Sequence, residues 1–251
     1  MREIKLNSEC NYVHLLSGGL DSAYSLVKLA KLLSEEKLTF VIHPIFFDYG
    51  QSVAHFEWRQ VGELVKYIRN FLNHNPVIDD PVKISLKSDL FQWCESDSFR
   101  GAKGRKTPEI ENRNMVLFSV LASYLIACAN HQGITSTKFE ISSGFKEGEL
   151  KDCNKVFFEQ IAKLLHTYKG NLTFNIGILH YMNRGEVSEQ IKSLLGISYD
   201  EFEKFLELTT SCYSPNDDGK PCGVCSKCVH LREKERAEKE INNKIEKRFS
   251  T

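Results

Sequence analysis

The chain has 251 residues, 41% hydrophobic and 26% charged, with 33 basic side chains balancing 33 acidic ones. That is the composition of an ordinary globular protein, long enough for one sizeable α/β domain with an appendage. Zero net charge argues against a life on nucleic-acid phosphates, and no apolar run approaches the ~20 residues that span a bilayer, so neither polynucleotide nor membrane is an expected partner.

Residues 1–10 lack the apolar centre of a signal peptide, which makes a cytoplasmic location the expectation. Residues 12–16 read as a short apolar strand running into Ser17-Gly18-Gly19, and apolar residues recur at helical spacing from 21 to 33. A second buried strand is expected at 39–47, ending on Asp48-Tyr49-Gly50. A helix over roughly 53–71 and a third strand at 82–86 follow. Residues 101–105 (GAKGR) read as a basic, mobile flap. The helix at 115–129 is apolar nearly all round and is expected to be buried.

A fourth strand at 139–142 leads into a loop at 144–148 and then a helix reaching about 168, with a fifth strand at 172–178. Shorter helical patterns at 186–195 and 199–206 precede a cysteine-rich segment, and 230–248 reads as a solvated, charge-paired helix. Strands alternating with helices predict a five-stranded parallel sheet covered on both faces, with ligands beyond the carboxyl ends of the strands. A weak boundary near Leu208 separates an α/β domain at 1–208 from a segment at 209–251, the two forming one structural unit.

The hexapeptide Ser17-Gly18-Gly19-Leu20-Asp21-Ser22, with Leu16 before it, sits between the first strand and the first helix. Amides of a first helical turn point at a ligand there, and the helix dipole adds roughly half a positive charge. Gly18 and Gly19 let the backbone approach phosphate oxygens, Ser17 and Ser22 offer hydroxyls, and Asp21 can cap the helix or help hold Mg²⁺. A plain strand-to-helix turn is the bland alternative. No Walker-type lysine follows, so the loop does not read as a γ-phosphate cradle.

Of eight cysteines, Cys212, Cys222, Cys225 and Cys228 crowd into seventeen positions within a polar segment. Four thiolates describe a closed tetrahedral Zn²⁺ site. An iron–sulfur cluster is the competing reading, but the further Cys-Pro of the ferredoxin run is missing from 229–232.

The loop resembles the SGGxDS loop of the N-type ATP pyrophosphatases, which cleave ATP between the α and β phosphates and activate a substrate as its adenylate. Taken with Phe47-Asp48-Tyr49-Gly50-Gln51, Arg113-Asn114, Asp152-Cys153 and Ser211-Cys212-Tyr213 before the remaining cysteines, it resembles the 7-cyano-7-deazaguanine synthases of the queuosine pathway, across roughly residues 12 to 232. The resemblance implies a HUP-like α/β fold, a structural zinc, ATP with Mg²⁺, 7-carboxy-7-deazaguanine as substrate and a homodimer. It implies an adenylate-forming carbon–nitrogen ligase. The carboxylate is adenylated, ammonia displaces AMP to give an amide, and the amide is activated for dehydration to a nitrile.

On that resemblance Asp21, Ser22 and Arg113 are candidate catalytic residues, and Asp48, Gln51 and Asn114 join the loop as candidate nucleotide contacts, with a helix-start ion pair as the other reading of Arg113 and plain turn formation as that of Asp48-Tyr49-Gly50. Asp152 is the candidate acceptor for the N–H groups of the guanine-like base, with a helix cap as its bland reading. Tyr49, Phe145 and Phe157 are candidates for stacking on the ring, or plain core aromatics. Three departures stand out. Asn112 precedes Arg113-Asn114 where the family has Gly or Ala, and the Pro-rich phrase before it reads Thr-Pro-Glu-Ile-Glu at 107–111. Asn183-Arg184-Gly185-Glu186 stands for the family's Lys-Gly/Ala-Glu, so Arg184 keeps the catalytic cation but stays protonated and cannot serve as a base. The segment 144–150 lacks the acidic-Tyr-Ser-Gly phrase.

These departures open a second expectation: a relative from an antiviral operon that joins a deazaguanine to an amine of a partner protein, stopping at the amide. A third, of another class, is a zinc-bearing nucleotide sensor without turnover.

Overall fold

The computed structural model describes residues 3–35, 40–51, 53–72, 77–86, 113–146, 154–168, 171–179, 182–209, 212, 216, 220–225 and 228. The segments 87–112, 147–153 and 229–251 lie outside them, and with them fall the expected flap at 101–105, Asn112, Asp152 and the charged helix at 230–248.

Among the described residues, six strands make one parallel sheet: β1 (Cys10–Leu15), β2 (Val41–Asp48), β3 (Val77–Ile78), β4 (Val82–Ser85), β5 (Thr137–Lys146) and β6 (Leu172–Leu179). The order is β3-β2-β1-β5-β6, with β4 also on β2. Val41 pairs with Val77 and Ile45 with Val82, so β3 and β4 share one edge of β2 and the sheet is five strands wide, as expected. The extra strand β3 is two residues long, too short to leave a period in the sequence.

The helices among the described residues are α1 (Leu20–Glu35), α2 (Ala54–Phe71), α3 (Arg113–His131), α4 (Lys155–Tyr168), α5 (Arg184–Leu195) and α6 (Tyr199–Glu207). Alternation along the strands builds two cores. Ile42 and Phe46 of β2 meet α1, α2, α5 and α6, while Ile45 and Phe47 face α3 and α4. Capping boxes start α5 (Asn183 with Glu186) and α6 (Ser198 with Glu201), and Gly196 closes α5 at φ 66°.

Two expectations are corrected. Helix α3 is not buried all round. Leu117, Phe118, Leu121 and Leu125 enter the core, but Met115 is 44% exposed and Ser119 and Ser123 also lie outward, because the sheet covers only one side. At nineteen residues it is long and apolar enough to cross a membrane by length and composition, yet its apolar stripe is part of the core. The loop expected from Gly144 is instead strand as far as Lys146, with a register irregularity between Ser142 and Lys146.

Candidate active site and cysteine centre

Strand β1 ends at Leu15, and the next turn reaches α1 through Gly18 at φ 82°, a conformation that glycine adopts freely. Hydroxyls lace this turn together. Ser22 Oγ donates to the Gly19 carbonyl (2.9 Å), Ser17 Oγ lies 3.0 Å from Ser22 Oγ, and the Ser17 and Gly19 amides are bonded to these same two oxygens. Ser17 is exposed, Ser22 buried and Asp21 half-buried, so the rim of the turn faces outward from a rigid base. Gly18 also packs on α2, where an added Cβ would sit 3.4 Å from the Glu57 carbonyl oxygen.

The underside of the turn rests on β5. Ser142, Gly144 and Lys146 alternate toward α1, and each touches the loop or its support. Ser142 Oγ is 2.7 Å from His14 Nδ1, and His14 Nε2 is 2.9 Å from the Ser22 carbonyl. That carbonyl can only accept, so Nε2 carries the proton and Nδ1 accepts from the Ser142 hydroxyl. Gly144 lies so close that a Cβ there would meet the Ser22 amide and stand 2.6 Å from the Ser22 Cα. Lys146 Nζ pairs with Asp21 Oδ1 at 2.7 Å and donates to the Met182 carbonyl at 3.0 Å, just ahead of Asn183 and Arg184.

His14 is fully buried, and that burial pushes its imidazole down to about 4, against the bond to Ser22. Its folded value lies below the unfolded 6.5, so its contribution to stability is complete above about 6.5 and is lost as pH falls toward 4. The stability difference between the native chain and His14→Gln is expected to shrink by about 3 kcal/mol over that window. Urea unfolding of both proteins from pH 7 to 4 measures it, and parallel pH profiles would contradict a neutral buried His14. Comparing the two chains also removes Glu57, which is common to both and pulls the other way.

Beyond β2, Asp48 is buried, accepts from the Gly50 amide (3.2 Å) and lies 3.7 Å from Lys83 Nζ. Gln51 accepts from the Tyr49 amide and donates to the Phe47 carbonyl and to Glu57 Oε2 (2.8 Å). Burial raises the Glu57 carboxyl to about 7, with Asp48 adding to the rise and Gln51 and Arg113 opposing it. Arg113 opens α3 with its guanidinium 5.9 Å from the Tyr49 ring centroid, and Asn114 beside it is fully buried. Arg184 opens α5. Phe145 packs with Phe118 (6.3 Å) and Phe158 (5.8 Å, stacked), and Phe157 meets Phe158 edge-on.

Sequence reasoning missed His14, Glu57, Gly144 and Lys146. His14 was one polar residue in an apolar strand, and Glu57 lay on a helix face like any other. Lys146 and Gly144 fall in the stretch whose sequence predicts a loop.

The four cysteines converge. The Sγ atoms of Cys212, Cys222, Cys225 and Cys228 all lie within 4.8 Å of one another, and Cys212 and Cys225 are 3.9 Å apart. Tetrahedral Zn²⁺ with ~2.3 Å bonds requires about 3.8 Å between sulfurs. Gly223 at φ 74° makes the turn between Cys222 and Cys225, whose sulfur and amide meet at 3.3 Å. Burial works against ionising Cys222, but the amides of Val224 and Cys225 and the neighbouring thiols outweigh it and bring Cys222 down to about 7. Burial pushes Cys228 well up. The donor set and spacing fit a tetrahedral, thiolate-bound ion.

The family model for "Queuosine biosynthesis protein QueC" matches residues 11–239. The chain belongs to the QueC family. Its curated relatives include a 7-cyano-7-deazaguanine synthase from Ruthia magnifica, 30% identical over 235 residues, covering 88% of this chain and 89% of the relative. Another synthase, from Vesicomyosocius okutanii, is 28% identical over 232 residues with the same coverage. A crystal structure of NAD+ synthetase from Burkholderia pseudomallei aligns over 80% of each chain at 14% identity and a TM-score of 0.25, too loose to bear on fold or chemistry. Within the QueC family frame, the Ser17–Ser22 turn, the Gln51 network and the four cysteines all fall inside the matched span.

Proposed function

We infer that the chain is an ATP-dependent carbon–nitrogen ligase acting on 7-carboxy-7-deazaguanine in the manner of the 7-cyano-7-deazaguanine synthases. The observation that carries this reading is a QueC-family chain whose rigid, hydroxyl-laced turn stands at the N-terminus of α1, where anions are favoured. Residues 1–208 hold the chemistry, and 209–251 form a zinc-bearing segment of the same unit.

The substrate carboxylate attacks the α-phosphorus of ATP, the bond to the bridging oxygen breaks, and pyrophosphate leaves into the Ser17–Ser22 turn. Arg113 and Arg184 supply fixed positive charge to the phosphates as the transition state develops. Ammonia then attacks the acyl carbon, AMP departs with the bonding pair, and an amide remains after loss of a proton. The amide oxygen then attacks the α-phosphorus of a second ATP, pyrophosphate leaves, and loss of AMP and of both amide protons yields the nitrile. Gln51 and Asp48 meet the nucleotide beside the turn, Asn114 orients its ribose or phosphates, and Tyr49 stacks on the base. Mg²⁺ accompanying ATP would meet the hard carboxylate oxygens of Asp21 and Asp48 and neutralise phosphate charge. The cysteines would hold zinc in a structural role, away from the chemical steps.

The test is mass spectrometry of products with ATP, ammonia and 7-carboxy-7-deazaguanine. Expected are pyrophosphate and AMP that depend on the deazaguanine, with the nitrile as product. An amide that accumulates and appears on a co-expressed protein would replace ammonia by a protein amine as acceptor. Nucleotide binding with no turnover would overturn the ligase.

A further inference from the structure

Lys146 presents a cost that needs a reason. It is only 7% exposed, and burying an ammonium is unfavourable by several kcal/mol unless charge and hydrogen bonds compensate. Two contacts that compensate it lie at the candidate nucleotide site. One is the Asp21 carboxylate, 2.7 Å away in the first turn of α1, and the other is the Met182 carbonyl, 3.0 Å away and two residues before Arg184. The strand position brings it there, since Ser142 and Gly144 of the same face lie beneath the same turn.

The turn lacks a cation of its own. Between Leu16 and Ser22 stand serines, glycines, a leucine and an aspartate, whose charge is negative. The helix dipole offsets roughly half a charge, well short of what the pyrophosphate end of ATP brings. A lysine delivered from β5 meets that need from the side. Its long stem is held between strand and helix, and its ammonium is a compact, rotatable donor suited to phosphate oxygens.

We propose that Lys146 is the pyrophosphate-binding cation of this site, its ammonium held ready between Asp21 and Met182 to take the β and γ phosphates of ATP and the pyrophosphate that leaves. This deepens the ligase reading and rests on it. It also predicts selectivity along the nucleotide: Lys146 acts on the pyrophosphate end and leaves AMP untouched.

The experiment measures inhibition by pyrophosphate and by AMP, and direct binding of both, for the native chain and for Lys146→Met and Lys146→Arg. In Lys146→Met the inhibition constant for pyrophosphate is expected to rise about tenfold or more, the worth of one charge-assisted hydrogen bond, while that for AMP moves less than about twofold. Lys146→Arg keeps the charge and is expected to retain most of the pyrophosphate affinity. If Lys146→Met is insoluble, Lys146→Gln is compared with Lys146→Arg on the same two inhibitors. Equal losses for pyrophosphate and AMP, or no loss for either, would overturn the assignment and leave the ligase reading standing. A native chain that binds neither ATP nor pyrophosphate would remove both. To separate direct contact from mere neutralisation of Asp21, Lys146→Met is combined with Asp21→Asn. Recovery of pyrophosphate affinity in the double variant would overturn direct contact, and continued loss supports it.

Discussion

Gly144→Ala is expected to abolish measurable ATP binding and to lower stability by about 3 kcal/mol. The added methyl carbon would overlap the Ser22 amide and lie 2.6 Å from the Ser22 Cα and 2.8 Å from the Asp21 carbonyl carbon. All three are backbone atoms, so no rotamer change relieves the overlap. Either β5 moves away from β1, where Ser142 and Ser143 are in parallel register with His14 and Leu15, or the first turn of α1 moves away from β5. The second course displaces Ser22 Oγ from Gly19, opens the hydroxyl network and carries Asp21 off Lys146. For a chain of this length the loss corresponds to about 6–12 °C in melting temperature. Gly62 is the control. It lies within α2, where an added Cβ meets nothing within 4 Å, so Gly62→Ala is expected to raise stability by up to about 1 kcal/mol. Calorimetric ATP titration and thermal melts of both variants check the pair. A Gly144→Ala protein with native affinity and an unchanged melting temperature would refute the close approach.

The contrast between those two glycines shows where sequence reading stops. Ser17 to Ser22 was legible because strand, turn, helix and the reason for each residue all lie within a few positions of one another. The cysteines were legible because ligand spacing is itself a geometric statement. Gly144 and Lys146 carry no such local sign. Ser142-Ser143-Gly144 has the weak strand propensity of a loop, and the structure makes it strand because β1 and β6 pair with it on either side and α1 lies across it. Tertiary position overrode composition. Lys146 meets Asp21 across 125 positions of sequence, and His14 meets Ser142 across 128, so neither contact has a period to betray it. Glu57 likewise owes its raised carboxyl to burial, with Asp48 of β2 adding to it and Arg113 of α3 opposing it from across the fold. Phe145 reads from sequence as either a stacking group or a core aromatic, and it packs with Phe118 and Phe158.

Removing a cysteine ligand is expected to have a larger effect still. Freshly purified protein should carry about one zinc per chain, and Cys225→Ser should carry almost none. The stabilisation at stake is large. Structural zinc binds finger peptides with about 10–16 kcal/mol, comparable to the whole folding stability of an ordinary domain. The sulfurs organise the turn around them: the amides of Cys222, Val224 and Cys225 all bond to cysteine sulfur. Val224 is 81% exposed, so the turn gains little from apolar burial, whereas Cys212 and Cys228 are each only 5% exposed and would be left as buried thiols without an ion. Loss of metal should therefore unfold the cysteine segment first and lower the melting temperature by more than Gly144→Ala does. Chelation of the native chain should give the same unfolding, reversed by added Zn²⁺. Cobalt in place of zinc should show the absorption of a tetrahedral thiolate site, and a visible iron–sulfur spectrum in the purified protein would point to the competing cluster instead. Less than half an equivalent of zinc, with no other metal present, would sink the assignment of Cys212, Cys222, Cys225 and Cys228 as ligands.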